Sequence, residues 1–123
     1  LILIVEDDPQ VARLIALVLQ RHGFEGEILS DGQSALSRTR ITPPQMIFAD
    51  LTVKGMGGEA LCATLKGDRA TRDIPFIVLS GDRDIAEKAR KCGADDHLGK
   101  PFEFDDLIRI VRKYADAQSR SAS

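Results

Sequence analysis

The segment Gln45-Met-Ile-Phe-Ala-Asp50 decides the fold. It is a short apolar run that ends in a carboxylate, and three further runs end in equally reactive groups. Glu6-Asp7-Asp8 follows Leu1-Ile-Leu-Ile-Val5, Ser80 follows Ile74-Pro-Phe-Ile-Val-Leu79, and Lys100-Pro101 follows Asp96-His-Leu-Gly99. Runs this short and this apolar read as buried parallel strands, with helices between them. The carboxyl ends of the strands in an open parallel sheet line one crevice. Four strand ends therefore deliver acids, a hydroxyl and an ammonium to one place.

The intervals support that reading. Asp8 is placed to cap a first helix with Pro9 at its first position. Val11, Leu14, Ile15, Val18 and Leu19 then share one face, and Gly23 stops the helix. Phe24 to Leu29, interrupted by charge, predicts an edge strand. Asp31-Gly32 is a turn, and a second helix spans Gln33 to Ile41 before Pro43-Pro44. After the strand ending at Asp50 comes the loop Leu51 to Gly57, then a helix from about Gly58 to Lys66. A fourth helix is expected from about Arg83 to Cys92, ending at Gly93. The last helix presents Phe104, Leu107, Ile108 and Val111 on one face. Strict βα alternation predicts α/β architecture, a doubly wound five-stranded parallel sheet with five helices. If strands one and three are neighbours at the switch point, Glu6, Asp7 and Asp50 converge there.

Composition bounds the function. With 123 residues the chain makes one domain, expected to span 1–115 with a polar, frayed C-terminal tail at 116–123. A net charge of −2 argues against direct nucleic-acid binding. No apolar run reaches the roughly 20 residues of a membrane span, and Leu1 to Val5 is too short for a signal-peptide core. The expected setting is cytoplasmic, without membrane insertion. A start at Leu1 in place of an initiator Met is expected to reflect a few missing or trimmed residues. Cys62 and Cys92 match no metal or redox spacing and read as small apolar residues in a reducing compartment.

Three acids held together repel one another, and a divalent cation resolves the conflict. Magnesium prefers hard oxygen ligands and keeps several waters, whereas no His or Cys stands near the acids to suggest zinc. Added to such a site, Lys100 and Ser80 complete a phosphoryl-binding set with a carboxylate free to act as nucleophile.

The pieces Ile4-Val-Glu-Asp-Asp8-Pro9, Met46-Ile-Phe-Ala-Asp50, Gly55-Met-Gly-Gly58, Ile77-Val-Leu-Ser80-Gly81, Gly93-Ala94-Asp95 and Lys100-Pro101-Phe102 together resemble the receiver domain of bacterial two-component response regulators. The resemblance covers essentially the whole chain. It implies a flavodoxin-like sheet in the order 2-1-3-4-5. It also implies that Asp50 accepts a phosphoryl group, with Mg²⁺ served by Glu6, Asp7, Asp50 and the backbone carbonyl of Thr52. Ser80 is then the switch hydroxyl, Lys100 the cation that pairs with the phosphate, and His97 takes the place of a rotating aromatic residue. Lys54 stands where the family commonly has proline and Gly57 where it often has aspartate. Both are expected to loosen the loop after Asp50.

The implied function is phosphorylation-controlled signalling. A sensor histidine kinase or histidine phosphotransfer protein donates the group, and the domain catalyses only its own phosphorylation and dephosphorylation. Output to a downstream protein passes through the fourth-helix, fifth-strand, fifth-helix face, with a phosphorylation-linked homodimer as a further expectation. From Asp82 to Lys113 that region balances eight acidic against eight basic residues, which points to protein contacts rather than DNA. Two alternatives compete. One is a small phosphatase with an aspartyl nucleophile, echoed by Asp50-Leu-Thr-Val53. The other is a scaffold of the same fold that binds partners without phosphorylation. For the first, the motif follows the wrong strand and no cap segment encloses a substrate. For the second, the acid, Ser and Lys set is intact. A flavin-binding domain is poorly supported, because one Tyr and no Trp leave little to stack on the ring.

Overall fold

Three strands form the middle of the sheet because their residues have no polar side to show water. In the computed structural model, β1 (Ile2–Val5), β3 (Met46–Asp50) and β4 (Phe76–Ser80) are buried at every position. The edge strands are β2 (Gly26–Leu29) and β5 (Asp96–Gly99), both only partly buried. Five helices alternate with them: α1 (Pro9–Arg21), α2 (Gly32–Ile41), α3 (Gly58–Lys66), α4 (Ile85–Cys92) and α5 (Phe104–Ala122). The structure describes residues 1–122, with side chains as far as Ala115. Within the expected tail the backbone of α5 continues to Ala122, and Ser123 lies outside the described residues.

All pairings are parallel, in the order β2-β1-β3-β4-β5. The doubly wound fold expected from the alternation is therefore present. Side chains alternate between faces along each strand, which divides the core in two. Leu3, Val5, Ile47, Ala49, Phe76 and Val78 pack with α2, α3 and α4. Ile2, Ile4, Phe48, Ile77 and Leu79 pack with α1 and α5. Register then sets the strand ends level with one another. Val5 lies opposite Ala49, Asp50 opposite Leu79, and Ser80 opposite Gly99.

Local chemistry fixes the boundaries. Asp8 caps α1, accepting from the Gln10 N–H at 3.0 Å, with Pro9 beginning the helix. Gly23, at φ +86°, takes the chain out of α1 in a conformation that favours glycine. Strand β2 starts at Gly26 rather than Phe24, because the Phe24 N–H folds back onto the Leu19 carbonyl at 2.9 Å. Strand β4 starts at Phe76 because Ile74 still belongs to a turn, its N–H donating to Thr71 O. Helix α4 begins at Ile85, two residues after the expected start, following a turn in which the Ser80 hydroxyl accepts the Asp82 N–H.

The opposite end of the sheet is tied by Lys66 and Asp95. The Lys66 ammonium donates to the carbonyls of Arg72 and Ile74, both at 2.9 Å, and to Asp95 Oδ2 at 2.7 Å. The same carboxylate oxygen accepts the Phe76 N–H at 2.8 Å. One acid thus joins α3, the start of β4 and the approach to β5. Cys62 and Cys92 are free and buried, and burial pushes the Cys62 thiol up and out of reactive range. Their expected role as small core residues agrees with this. Replacing Asp95 by Ala removes a charge-assisted acceptor from two donors and should cost about 2 kcal/mol of stability. Urea unfolding measures it, and an unchanged midpoint would show that the tie carries no energy.

Candidate functional site

The end of β3 holds Asp50 in a nearly dry setting, 8% exposed. Its carboxylate is oriented from both sides. Oδ1 accepts from the Thr52 N–H at 2.8 Å and from the Thr52 hydroxyl at 2.9 Å, a local turn that Asp favours. Oδ2 accepts from the Lys100 ammonium. Lys100 reaches it from the end of β5, where the Lys100–Pro101 peptide is cis and the Lys100 N–H donates to Ser80 O at 2.8 Å.

The same ammonium donates to Glu6 Oε1 at 2.5 Å. Glu6 follows β1 and is 2% exposed, so groups from β1, β3 and β5 meet at one nitrogen. Two nearly buried carboxylates beside one cation do not behave alike. Burial raises the Glu6 carboxyl above its ordinary 4.5, Lys100 only partly offsets this, and the neighbouring Asp50 adds to it. Burial also opposes ionisation of Asp50, but hydrogen bonds from Lys100 and from the Thr52 N–H outweigh it and hold the carboxyl below 3.8. For Lys100, burial opposes the charge, and the two acids more than restore it, raising the ammonium above its ordinary 10.5. Asp50 is thus kept as an anion, the state a nucleophile needs.

Glu6 Oε2 is buried and has no hydrogen-bond partner. An orphaned hard oxygen beside a second acid is what a divalent cation satisfies, so the residues fit such an ion. Asp7 is half-buried next to Glu6, yet forms no side-chain hydrogen bond or ion pair among the described residues. Among those residues no three acidic, His or Cys side chains are grouped closely enough to cage a metal unaided. Backbone and water oxygens would have to share the coordination.

Ser80, 5% exposed, ends β4 and accepts the Asp82 N–H on its hydroxyl at 3.0 Å. It belongs to the same rim as Asp50 but is turned along its own loop. An ion pair between Lys88 and Asp82 at 2.7 Å steadies that loop. His97 lies on β5 opposite Val78, half-buried, beside a hollow also lined by Asp106, Arg109 and Lys113. Its backbone N–H donates to Asp96 Oδ1 at 2.9 Å, and it makes no hydrogen bond to Glu6, Asp7 or Asp50. The loop after Asp50, expected to be loosened by Lys54 and Gly57, makes backbone contacts that do not involve the Lys54 side chain. The Gly32 N–H donates to Lys54 O at 3.1 Å, and Val53 is buried.

Sequence reasoning brought Asp50, Glu6, Lys100 and Ser80 to one rim. It did not foresee Glu6 sharing Lys100, or the Thr52 hydroxyl on Asp50. The Asp-x-Thr spacing is a turn signature that signals the second of these.

Residues 2–112 match the family model of the response regulator receiver domain. The chain is 34% identical over 113 residues to the DNA-binding response regulator MtrA of Mycolicibacterium smegmatis. It is 32% identical to the DNA-binding dual master transcriptional regulator RpaA of Synechocystis. The alignments cover 90% of this chain but only 48% and 47% of those proteins, so the chain spans about half the length of the curated relatives it matches. Among solved structures, the receiver domain of a signal transduction histidine kinase from Syntrophus aciditrophicus superposes with a TM-score of 0.88 at 34% identity, covering 94% of this chain and 89% of that one. The receiver domain of sensor histidine kinase PA1611 from Pseudomonas aeruginosa, solved with magnesium in its active-site cleft, gives 0.85 at 25% identity, covering 92% and 94%. The fold and the site define a two-component signalling module. This chain belongs to the response regulator receiver domain family.

The opposed shifts of the two acids have a definite pH signature. The raised Glu6 contributes stability that is present below 4.5 and lost as pH rises through its folded value. The depressed Asp50 contributes stability that is present above 3.8 and lost as pH falls through its folded value. Carboxyl ¹³C NMR titration of the metal-free protein should therefore place Glu6 above 4.5 and Asp50 below 3.8. The reverse order would contradict this arrangement of charge.

Proposed function

We propose that this domain accepts a phosphoryl group on Asp50 and passes the change on through its partner-binding surface. The observation that carries the proposal is the Lys100 ammonium on Asp50 Oδ2, which keeps the carboxylate ionised and aimed at the rim. The donor is a phosphohistidine on a sensor kinase or phosphotransfer protein. Asp50 attacks phosphorus, the P–N bond breaks, the imidazole leaves, and an acyl phosphate forms on the carboxylate. Lys100 moves with the new charge and pairs with phosphoryl oxygens, while the Thr52 N–H keeps the acyl group oriented. Attack of water on phosphorus later restores the carboxylate. The domain thus catalyses only its own phosphorylation and dephosphorylation.

A bound Mg²⁺ would neutralise charge on the phosphoryl oxygens during transfer. Glu6, Asp7, Asp50 and the Thr52 carbonyl are the groups that would hold it, and the unpartnered Glu6 Oε2 supports the assignment. The switch is assigned to Ser80 and His97. Ser80 turns so that its O–H donates to a phosphoryl oxygen, its Oγ moving off the Asp82 N–H, and His97 turns toward the space it leaves. The surface of α4, β5 and α5 then carries the signal to a downstream protein or a second copy of the chain. Direct nucleic-acid contact is not assigned to this domain, consistent with its net charge of −2. The phosphorelay setting is cytoplasmic.

Intact mass after acetyl phosphate treatment with Mg²⁺ tests the assignment. The wild type should gain one phosphoryl group and Asp50→Asn none; undiminished labelling of the variant would overturn it. Mg²⁺ should raise the melting temperature of the wild type but not of Asp7→Ala. Sustained turnover of a small phosphoester would favour a phosphatase instead.

A further inference from the structure

The turn into α2 lies far from Asp50 in sequence and contributes no reactive group, yet it is built against the loop that frames the site. Asp31 caps α2, accepting from the Ser34 N–H at 2.7 Å and the Ser34 hydroxyl at 2.8 Å. The next residue, Gly32, is buried, and its N–H donates to Lys54 O at 3.1 Å. Asp31 and Lys54 form an isolated parallel bridge. A Cβ added at Gly32 would stand 1.8 Å from the Met56 carbonyl oxygen and 2.7 Å from its carbonyl carbon. Those are backbone atoms, so no side-chain rotation relieves the overlap. Gly32 has no positive φ. Glycine is required here by proximity, not by backbone conformation.

The segment Leu51 to Gly57 is short and held at its other end. Gly58 N–H donates to Leu51 O at 3.2 Å, and a Cβ on Gly58 would stand 2.4 Å from Asp50 O. Leu51 and Val53 are buried. A displacement imposed at Met56 therefore has little room to dissipate toward α3 and must pass back toward Thr52. Thr52 is the residue whose N–H and hydroxyl fix Asp50 Oδ1.

We propose that Gly32 is a positioning residue for the divalent-cation and phosphoryl site. By lacking a side chain, it lets the Met56 carbonyl close on the start of α2, and that contact sets the loop presenting Thr52 to Asp50. The inference rests on the phosphorylation reading above. Gly32 touches neither the cation nor the reacting atoms and acts only through the loop. A mispositioned carbonyl ligand weakens the cation more than it weakens the chemistry once the cation is bound.

The test compares Gly32→Ala with Asp31→Ala, which removes the α2 cap without placing an atom against the loop. Isothermal titration of the metal-free, folded proteins with MgCl₂ gives the cation affinity. Phosphoryl uptake from acetyl phosphate is followed by intact mass across a Mg²⁺ series, and thermal melts report stability. Gly32→Ala should weaken Mg²⁺ about tenfold, the range of a lost supporting contact, with uptake largely recovered at saturating Mg²⁺. Asp31→Ala should lower the melting temperature by about 4 °C while leaving the Mg²⁺ affinity as in the wild type. A folded Gly32→Ala protein with wild-type Mg²⁺ affinity would overturn the proposal. So would an equal loss of affinity in Asp31→Ala, because the role would then be general support of α2. Should Gly32→Ala fail to fold, Gly55→Ala decides. It strains the loop at φ +72°, and its added Cβ meets the start of α2 only in ordinary contact, 3.9 Å from Asp31 Cβ. Weakened Mg²⁺ binding there supports the proposal, and unchanged binding overturns it. A wild type that binds Mg²⁺ but takes up no phosphoryl group would overturn the phosphorylation reading, and the phosphoryl half of the proposal with it.

Discussion

The ammonium of Lys100 is the charge on which the site depends. Two nearly buried carboxylates, Asp50 and Glu6, stand close enough to share it. Without it both would meet the cost of burial and of mutual repulsion together. The sharing is unequal. Asp50 also receives the Thr52 N–H and stays ionised, whereas Glu6 keeps one oxygen bare and is pushed toward protonation. A single cation therefore prepares two neighbouring acids for different work. In the proposed function the first is the nucleophile, and the second, with one oxygen unpartnered, is a ligand that a divalent ion would complete.

That arrangement needs the strand order. Lys100 comes from an edge strand and Glu6 from β1, with β3 and β4 between them. Only a level rim of parallel strand ends brings the two within reach of one nitrogen. Around the rim, short loops hold each group by the backbone. Ser80 is engaged by the Asp82 N–H, a bond worth about 1 kcal/mol in net terms. Turning Ser80 to donate its O–H to a phosphoryl oxygen gains a stronger, charge-assisted bond as Oγ moves off that N–H. Phosphorylation would thus release the Asp82 N–H and disturb the loop before α4, on the side of the molecule where output is assigned.

Much of this was legible in the sequence, for identifiable reasons. Runs such as Leu1 to Val5 and Met46 to Ala49 are apolar on both faces, and only a sheet covered on both sides satisfies them. The charged, poorly apolar stretch before Leu29 could only be an edge. Reactive residues placed directly after strands announced the rim. What stayed hidden was contact between backbones. Gly32 reads as an ordinary turn glycine, and nothing local reveals that the Met56 carbonyl fills the space beside it. The sharing of Lys100 was hidden for a similar reason, since spacing along the chain says nothing about which of several acids a flexible ammonium reaches. The start of α4 falls two residues beyond Arg83, because a turn closed by the Asp82 N–H on the Ser80 hydroxyl comes first, and that contact has no local signature in the sequence.

The most direct measurement of the central claim is chemical. After phosphorylation from acetyl phosphate in Mg²⁺, borohydride reduces an aspartyl acyl phosphate to the alcohol, converting the modified residue to homoserine. Peptide mapping by tandem mass spectrometry then locates it. The account predicts homoserine at position 50, with Glu6, Asp7 and Asp8 intact. Homoserine at position 7 or 8, reduction at Glu6, or no reduced residue in a protein that has gained a phosphoryl group, would contradict it.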